Sequence, residues 1–273
     1  MSNTEFIESR SILRIEGDDR SSFLQGIITQ DIEQLSPERA IESALLTPQG
    51  KILADFFLIE SSDAILLDCH TDIVEALGKR LSMYKLRAKV SITLFDQCAV
   101  FASPNPIELD GAVAVFQDPR HDDLGWRAIA KPDTDAALEG TYHTRRISCG
   151  VPEFGYDYGA DEKFLTDVKA DLLNAVNYKK GCFIGQEVTS RMNRKGDIRK
   201  RSIIAKFTDG TAPTGTTITA GNSTLGEVMS HGGDKALAFI RLDRWEKAKL
   251  DQAPILADGK SLQFQVPNYL KHD

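Results

Sequence analysis

Cysteine is scarce and dispersed in this 273-residue chain: Cys69, Cys98, Cys149 and Cys182 form no C-x-x-C pair and have no adjacent histidine ligand pattern. That distribution argues against a disulfide framework and for a reducing compartment, for which the cytoplasm is the expectation. No apolar run approaches the length a membrane-spanning helix needs. The N-terminal "MSNTEFIESR" lacks a basic start and an apolar h-region, so no secretory signal is expected. Positive charge is in deficit, 33 Lys and Arg against 40 Asp and Glu, for a net charge of −7. Direct nucleic-acid or membrane binding across the whole surface is therefore not expected, and only a local basic patch remains open. Rossmann and P-loop fingerprints, internal repeats and low-complexity tracts are absent. Histidines 70, 121, 143, 231 and 272 form no usable pattern.

What is present is an ordered series of short elements. "SILRI" reads as a strand, Asp18 as the N-cap of a short helix through Leu24, and Gly26 as its end. "AIESALLTPQGKILADFFLIES" reads as two strands joined at Pro48-Gln49-Gly50, followed by the strand "AILLDCH". Ile73, Val74, Leu77 and Leu81 fall on one helical face behind Thr71 as N-cap, and "KVSITLF" and "AVFAS" return as strands. Residues 103–140 read as irregular connections around a small sheet carrying "GAVAVF" and "GWRAIA", and 161–193 as a helical region interrupted by glycines. From Lys200 the texture changes to short β segments with Gly-rich turns, the pattern of a small closed barrel or sandwich. This order is α+β, without the strict alternation of a doubly wound sheet.

The densest stretch is "NYKKGCFIGQEVTSRMNRKGDIRKR", residues 177–201. Cys182 follows Lys179 and Lys180 and precedes a helix start, and both neighbours favour thiolate over thiol. Gly181 and Gly185 allow unusual backbone and close approach of a ligand. The alternative is a turn in which Cys182 packs as a small hydrophobe beside Phe183. Gln186 and Glu187 could read the edge of a planar heterocycle or simply complement a helix dipole. The basic run from Arg191 to Arg201 could hold phosphate or carboxylates, or form a solvated edge. Asp55 lies on an otherwise apolar strand face with Leu53 and Phe57, which points to a cavity and a raised pKa.

"KKGCFIGQEVTSRM" resembles the signature of the folate-binding proteins of iron–sulfur cluster assembly and repair, in the superfamily of the glycine-cleavage T-protein, an aminomethyltransferase. "RSSFLQGIITQDIEQL", "LLTPQGKILADFFLI", "YKLRAKVSI", "RISCGVPEFGYDY" and "TLGEVMSHGGDKALAFIRLD" resemble further segments of that family, so the likeness spans nearly the whole chain. The resemblance implies three units around a central cavity that holds tetrahydrofolate or a one-carbon derivative. Residues 1–195 would form the folate-binding α+β region, its middle unit about 45–140 and one unit ferredoxin-like, and residues 196–273 the C-terminal β-barrel. It further implies support of cluster assembly, with an indirect effect on tRNA modification, and partners among assembly or client proteins. Cys182 and Asp55 would do the chemistry at a shared hollow, while Lys180, Gly181, Phe183, Gly185, Gln186, Glu187 and Arg191 would bind the cofactor. Two departures argue against aminomethyl transfer from a lipoyl carrier, the competing reading. Ala54 replaces one of two consecutive acids, and Ser148 replaces a pterin-contacting glutamate. A cysteine hydrolase ranks last, because no histidine has the context of a base. Whether any substrate is turned over is left open.

Overall fold

In the computed structural model, residues 4–132, 137–138, 141–196, 198–267 and 269 are described. The chain opens with β1 (Glu5–Phe6), β2 (Arg10–Glu16) and α1 (Arg20–Gln25), then β3 (Ile41–Leu46), β4 (Ile52–Glu60) and β5 (Ala64–His70). Helix α2 (Val74–Tyr84) leads to β6 (Ser91–Leu94), β7 (Ala99–Ser103), β8 (Ala114–Gln117), β9 (Trp126–Ala130) and β10 (Ala137–Leu138). Helices α3 (Thr141–Cys149) and α4 (Gln186–Lys195) precede β11 (Lys200–Phe207), β12 (Thr217–Ala220), β13 (Ser223–Gly232) and β14 (Lys235–Arg241). Helix α5 (Leu242–Leu250), β15 (Ile255–Ala257) and β16 (Lys260–Gln265) follow.

These elements make two five-stranded sheets and a closed six-stranded barrel. The first sheet has the order β3-β4-β5-β2-β6, the second β10-β1-β7-β9-β8, and the barrel β11-β14-β13-β12-β15-β16. The α+β class and the C-terminal barrel agree with the expectation from sequence.

Side-chain alternation explains how the first sheet is covered on both faces. Phe56, Leu58 and Leu67 pack with Phe23, Leu24, Leu77 and Leu81 on the helical side. Phe57, Ile59, Leu66 and Ile12 point the other way, against Val100, Phe116 and Ile129 of the second sheet. A strand buried on both faces reads as a continuous apolar run, as β3, β4 and β5 do, and each large side chain so buried contributes roughly 1.5–3 kcal/mol. Asp55 shares the parity of Phe57, and Asp68 pairs with Phe57 in register. Both acids are thereby delivered to the seam between the sheets.

The helical reading of 161–193 holds only at its end, in α4. Residues 161–185 are a chain of turns, with Asp161, Lys169 and Asn174 at φ of 63°, 62° and 62°. Tertiary anchors override the apolar periodicity there: Lys169 Nζ donates to the Gly150 carbonyl at 2.6 Å, and Thr29 Oγ1 to the Ala175 carbonyl at 2.7 Å. Capping also differs. Thr71 begins a 3₁₀ turn capped by His70, whose Nδ1 accepts from the Asp72 N–H. The N-cap of α1 is Asp19 and not the expected Asp18, and its side chain caps no helix N–H but accepts from the Lys89 N–H at 2.8 Å.

Candidate functional site

The seam between the sheets, where an open hollow was expected, is filled with charge. Arg10 on β2 donates through Nε to Asp68 Oδ1 at 2.6 Å, and Arg127 on β9 through Nη2 to Asp68 Oδ2 at 3.0 Å. Arg120 forms a two-pronged bond to Asp118 at 2.9 and 2.7 Å. Tyr142 on α3 accepts from Arg120 at 2.6 Å and donates to Glu153 Oε2 at 2.6 Å. Glu153 also stands 3.5 Å from Arg10, 3.6 Å from Arg120 and 3.8 Å from Arg146. Arg146 donates to Asp157, which accepts the Ser230 N–H from the barrel at 3.0 Å. Phe57 lies under three of the guanidinium groups, at 5.3, 4.8 and 4.4 Å from its ring centre. Arg10, Arg120, Arg127 and Arg146 thus face Asp68, Asp118, Glu153 and Asp157, four cations against four acids. Burial disfavours the charge on Glu153, but Arg120, Arg10 and Arg146 overcome it and hold its carboxyl well below the usual carboxylate range.

Two further acids sit beside this balanced set, and they behave oppositely. Asp55 is 8% exposed and accepts a short hydrogen bond from the Tyr158 hydroxyl. Burial pushes its carboxyl up, against Arg10 and the Tyr158 bond. Glu42 on β3 is pushed well above the ordinary value by burial, which Arg120 offsets only in part, and its Oε2 is buried without a hydrogen-bond partner. Such atoms are rare in native interiors and call for an explanation. Cavities flank the network at both ends. One of about 250 Å³ is lined by Ile41, Asp118, Gln30 and Arg39. The other, of about 470 Å³, is lined by Tyr142, His143, Tyr156, Ser230 and His231. Neither is lined by Asp55 or Cys182.

The signature loop is built differently from the expectation of a lysine biasing a thiol. Lys180 turns its ammonium inward, donating to the carbonyls of Gln25, Ile28 and Gln30 at 2.8, 2.7 and 3.0 Å. Burial lowers its pKa to about 8. Phe183, 7% exposed, enters a cluster with Leu46, Ile52, Phe154 and Tyr158. Between these two tethers Gly181 and Cys182 are exposed. Gly185 is the N-cap of α4 at φ 80°, where a Cβ would meet the Thr47 carbonyl at 2.7 Å. The loop is thereby clamped onto the β3–β4 turn. Gln186 reaches the Gly181 carbonyl at 3.4 Å, and Glu187 and Arg191 are exposed on α4. Gly181, Cys182, Glu187 and Arg191 are exposed together, while Lys180 and Phe183 are turned beneath them. Asp55 stands apart in the interior, and among the described residues it shares no hydrogen bond or ion pair with them.

Residues 199–272 match the family described as CAF17, C-terminal beta-barrel domain. The human iron-sulfur cluster assembly factor IBA57, mitochondrial, is 31% identical over 270 residues, covering 86% of this chain and 76% of that protein. The chain belongs to the IBA57 family of iron–sulfur cluster assembly factors. The mouse IBA57 is 29% identical over 273 residues, with the same coverages of 86% and 76%. A crystal structure of the glycine cleavage system aminomethyltransferase T from Bartonella henselae superposes with a TM-score of 0.76 at 16% identity, covering 97% of this chain and 85% of that one. That likeness establishes the fold. The cytoplasmic placement expected from sequence is overturned, because the IBA57 relatives from human, mouse and Neurospora crassa are named as mitochondrial. Unpaired thiols distinguish a reducing from an oxidising compartment and not one reducing compartment from another.

Sequence reasoning singled out Asp55 and missed most of its surroundings. The same signal, a lone charge in an apolar strand, was available for Asp68 in "AILLDCH", Glu42 in "AIESALL" and Arg127 in "GWRAIA". Glu153 carries no such mark, since it lies in a turn segment. Ser148 lines a separate cleft beside Cys149, away from the network that Glu153 joins.

Proposed function

We propose that this chain serves iron–sulfur cluster assembly by presenting the Cys182 thiol to a cluster in transit, and that Glu42 and Asp55 contribute to binding tetrahydrofolate or a one-carbon derivative. The observation that carries the first part is that Cys182 alone among the four cysteines is exposed, lifted to the surface by the inward tethers of Lys180 and Phe183. Clusters of the common types are held by four cysteine thiolates. One thiol cannot complete such a set, so the other ligands come from an assembly or client protein docked over the loop. Arg191 and Arg194, exposed on α4, favour an anionic cluster or an acidic partner face there.

The second part rests on the unpartnered Glu42 Oε2 and on the raised proton affinity of both buried acids. A reduced pterin offers N–H donors beside a carbonyl acceptor, and a protonated carboxyl can both accept from and donate to such an edge. When bound, the folate supplies one-carbon chemistry. Aminomethyl transfer is the weaker reading, since Ala54, 2% exposed, brings no second acid to the strand. An effect on tRNA modification would follow indirectly, through enzymes that need clusters.

The test is replacement of the native factor in cells that lack it. A Cys182→Ser chain is expected to leave cluster-dependent enzyme activities at the deficient level, while Cys98→Ser restores them. Full restoration by Cys182→Ser would remove the thiol from the proposal.

A further inference from the structure

Away from the arginine–carboxylate seam and from the Cys182 loop, three side chains of metal-ligand type meet in one cleft. His121 and Asp123 stand at the 3₁₀ turn Asp122–Leu124 between β8 and β9, and Cys149 ends α3. One nitrogen, one carboxylate oxygen and one sulfur from these residues all lie within 4.8 Å of one another. The surrounding cleft, of about 770 Å³, is also lined by Arg145, Ser148 and Gln265. We propose that His121, Asp123 and Cys149 form a binding site for a divalent transition metal of the zinc class, with its fourth position open to an anionic ligand.

Distance and chemistry both support the assignment. A tetrahedral shell with bonds of roughly 2.0–2.3 Å sets its ligand atoms about 3.5 Å apart. A spread of at most 4.8 Å closes to that by small rotamer changes, which are open to side chains that are half-buried or exposed. The donor set chooses the metal. Calcium and magnesium take oxygen shells, which a thiol and an imidazole do not provide. Copper(I) selects sulfur ligands, whereas a mixed sulfur, nitrogen and oxygen set suits zinc.

The frame around the three residues is held from outside. The His121 ring meets Tyr269 edge-on at 5.6 Å, and Arg145 Nε donates to the Leu124 carbonyl at 3.0 Å, tying α3 to the turn. Arg145 lines the same cleft and its charge acts on Cys149, and its Nη2 has no hydrogen-bond partner. A guanidinium beside the set favours an anion as the fourth ligand.

The probe is Co²⁺ added to the reduced, metal-stripped chain, followed by displacement with Zn²⁺. One equivalent is expected to bind, with a thiolate-to-cobalt charge-transfer band that Zn²⁺ abolishes. Cys149→Ser removes that band. Asp123→Asn, a conservative change at an exposed position, weakens binding at least about tenfold with the fold intact. Cys182→Ser leaves both readouts unchanged. The proposal is overturned if the band survives Cys149→Ser, disappears with Cys182→Ser, or never reaches one equivalent in the unaltered chain.

Discussion

Glu42 is a single residue whose environment makes a measurable demand. Its folded pKa is raised by burial, so the stability it contributes is fully present below the ordinary carboxylate pKa, near 4.3. That contribution is lost as pH rises through the folded value. Glu42→Gln keeps the shape and removes the proton to be held. The variant is expected to melt like the parent near pH 4 and to be more stable at neutral pH by on the order of 1 kcal/mol. The same change should weaken tetrahydrofolate binding in a calorimetric titration by about tenfold, the loss of one hydrogen bond to a buried polar group. A stability difference that does not grow with pH would show Glu42 to be ionised in the fold. The lone acid in an apolar strand was legible at Asp55, and the same mark at Glu42 and Asp68 shows how far residue-level reading extends. It cannot reach the direction of Lys180: a lysine next to a cysteine looks like a partner for the thiol until the three carbonyls that capture it are seen.

Among the elements, the loop that leads into α4 depends on its two glycines unequally. Gly185 has a positive φ and would press a Cβ against Thr47, Leu46 and Gly50 at 2.7, 3.0 and 3.1 Å, whereas nothing lies within 4 Å of the Cβ position of Gly181. Gly185→Ala should cost about 1–3 kcal/mol in thermal or denaturant unfolding and change the alkylation rate of Cys182. Gly181→Ala should change stability by less than about 0.5 kcal/mol. Equal effects would mean that the clamp on the β3–β4 turn is not what positions the loop. At this scale strands β5 and β7 coincide with the runs "AILLDCH" and "AVFAS", because burial on both faces writes itself into sequence as a continuous apolar run. The turns of 161–185 do not, because Lys169 reaches out to the Gly150 carbonyl and the Ala175 carbonyl accepts from the distant Thr29 hydroxyl.

At the scale of the whole molecule, the barrel is joined to the sheets through charge. Asp157 accepts both the N–H and the hydroxyl of Ser230, and Arg146 donates to that hydroxyl at 3.0 Å. Ser230→Ala leaves Arg146 and Asp157 short of a buried partner, a loss of about 1–3 kcal/mol. Hydrogen exchange should then quicken about tenfold or more across 146–158, while amides of the closed barrel ladder keep their protection. Uniform acceleration over both parts would instead make barrel and sheets one cooperative unit. The α+β class and a β-rich C-terminal unit, barrel or sandwich, were determined by the sequence alone, since apolar periodicity and turn chemistry are local properties of the chain; the closed barrel and the signature around Cys182 were legible there only as a family resemblance. What only the tertiary structure decided is the use of each charge. Arg10, Asp68, Arg127 and Glu153 come from distant segments, and an ion pair buried between two sheets exists only once those sheets have packed.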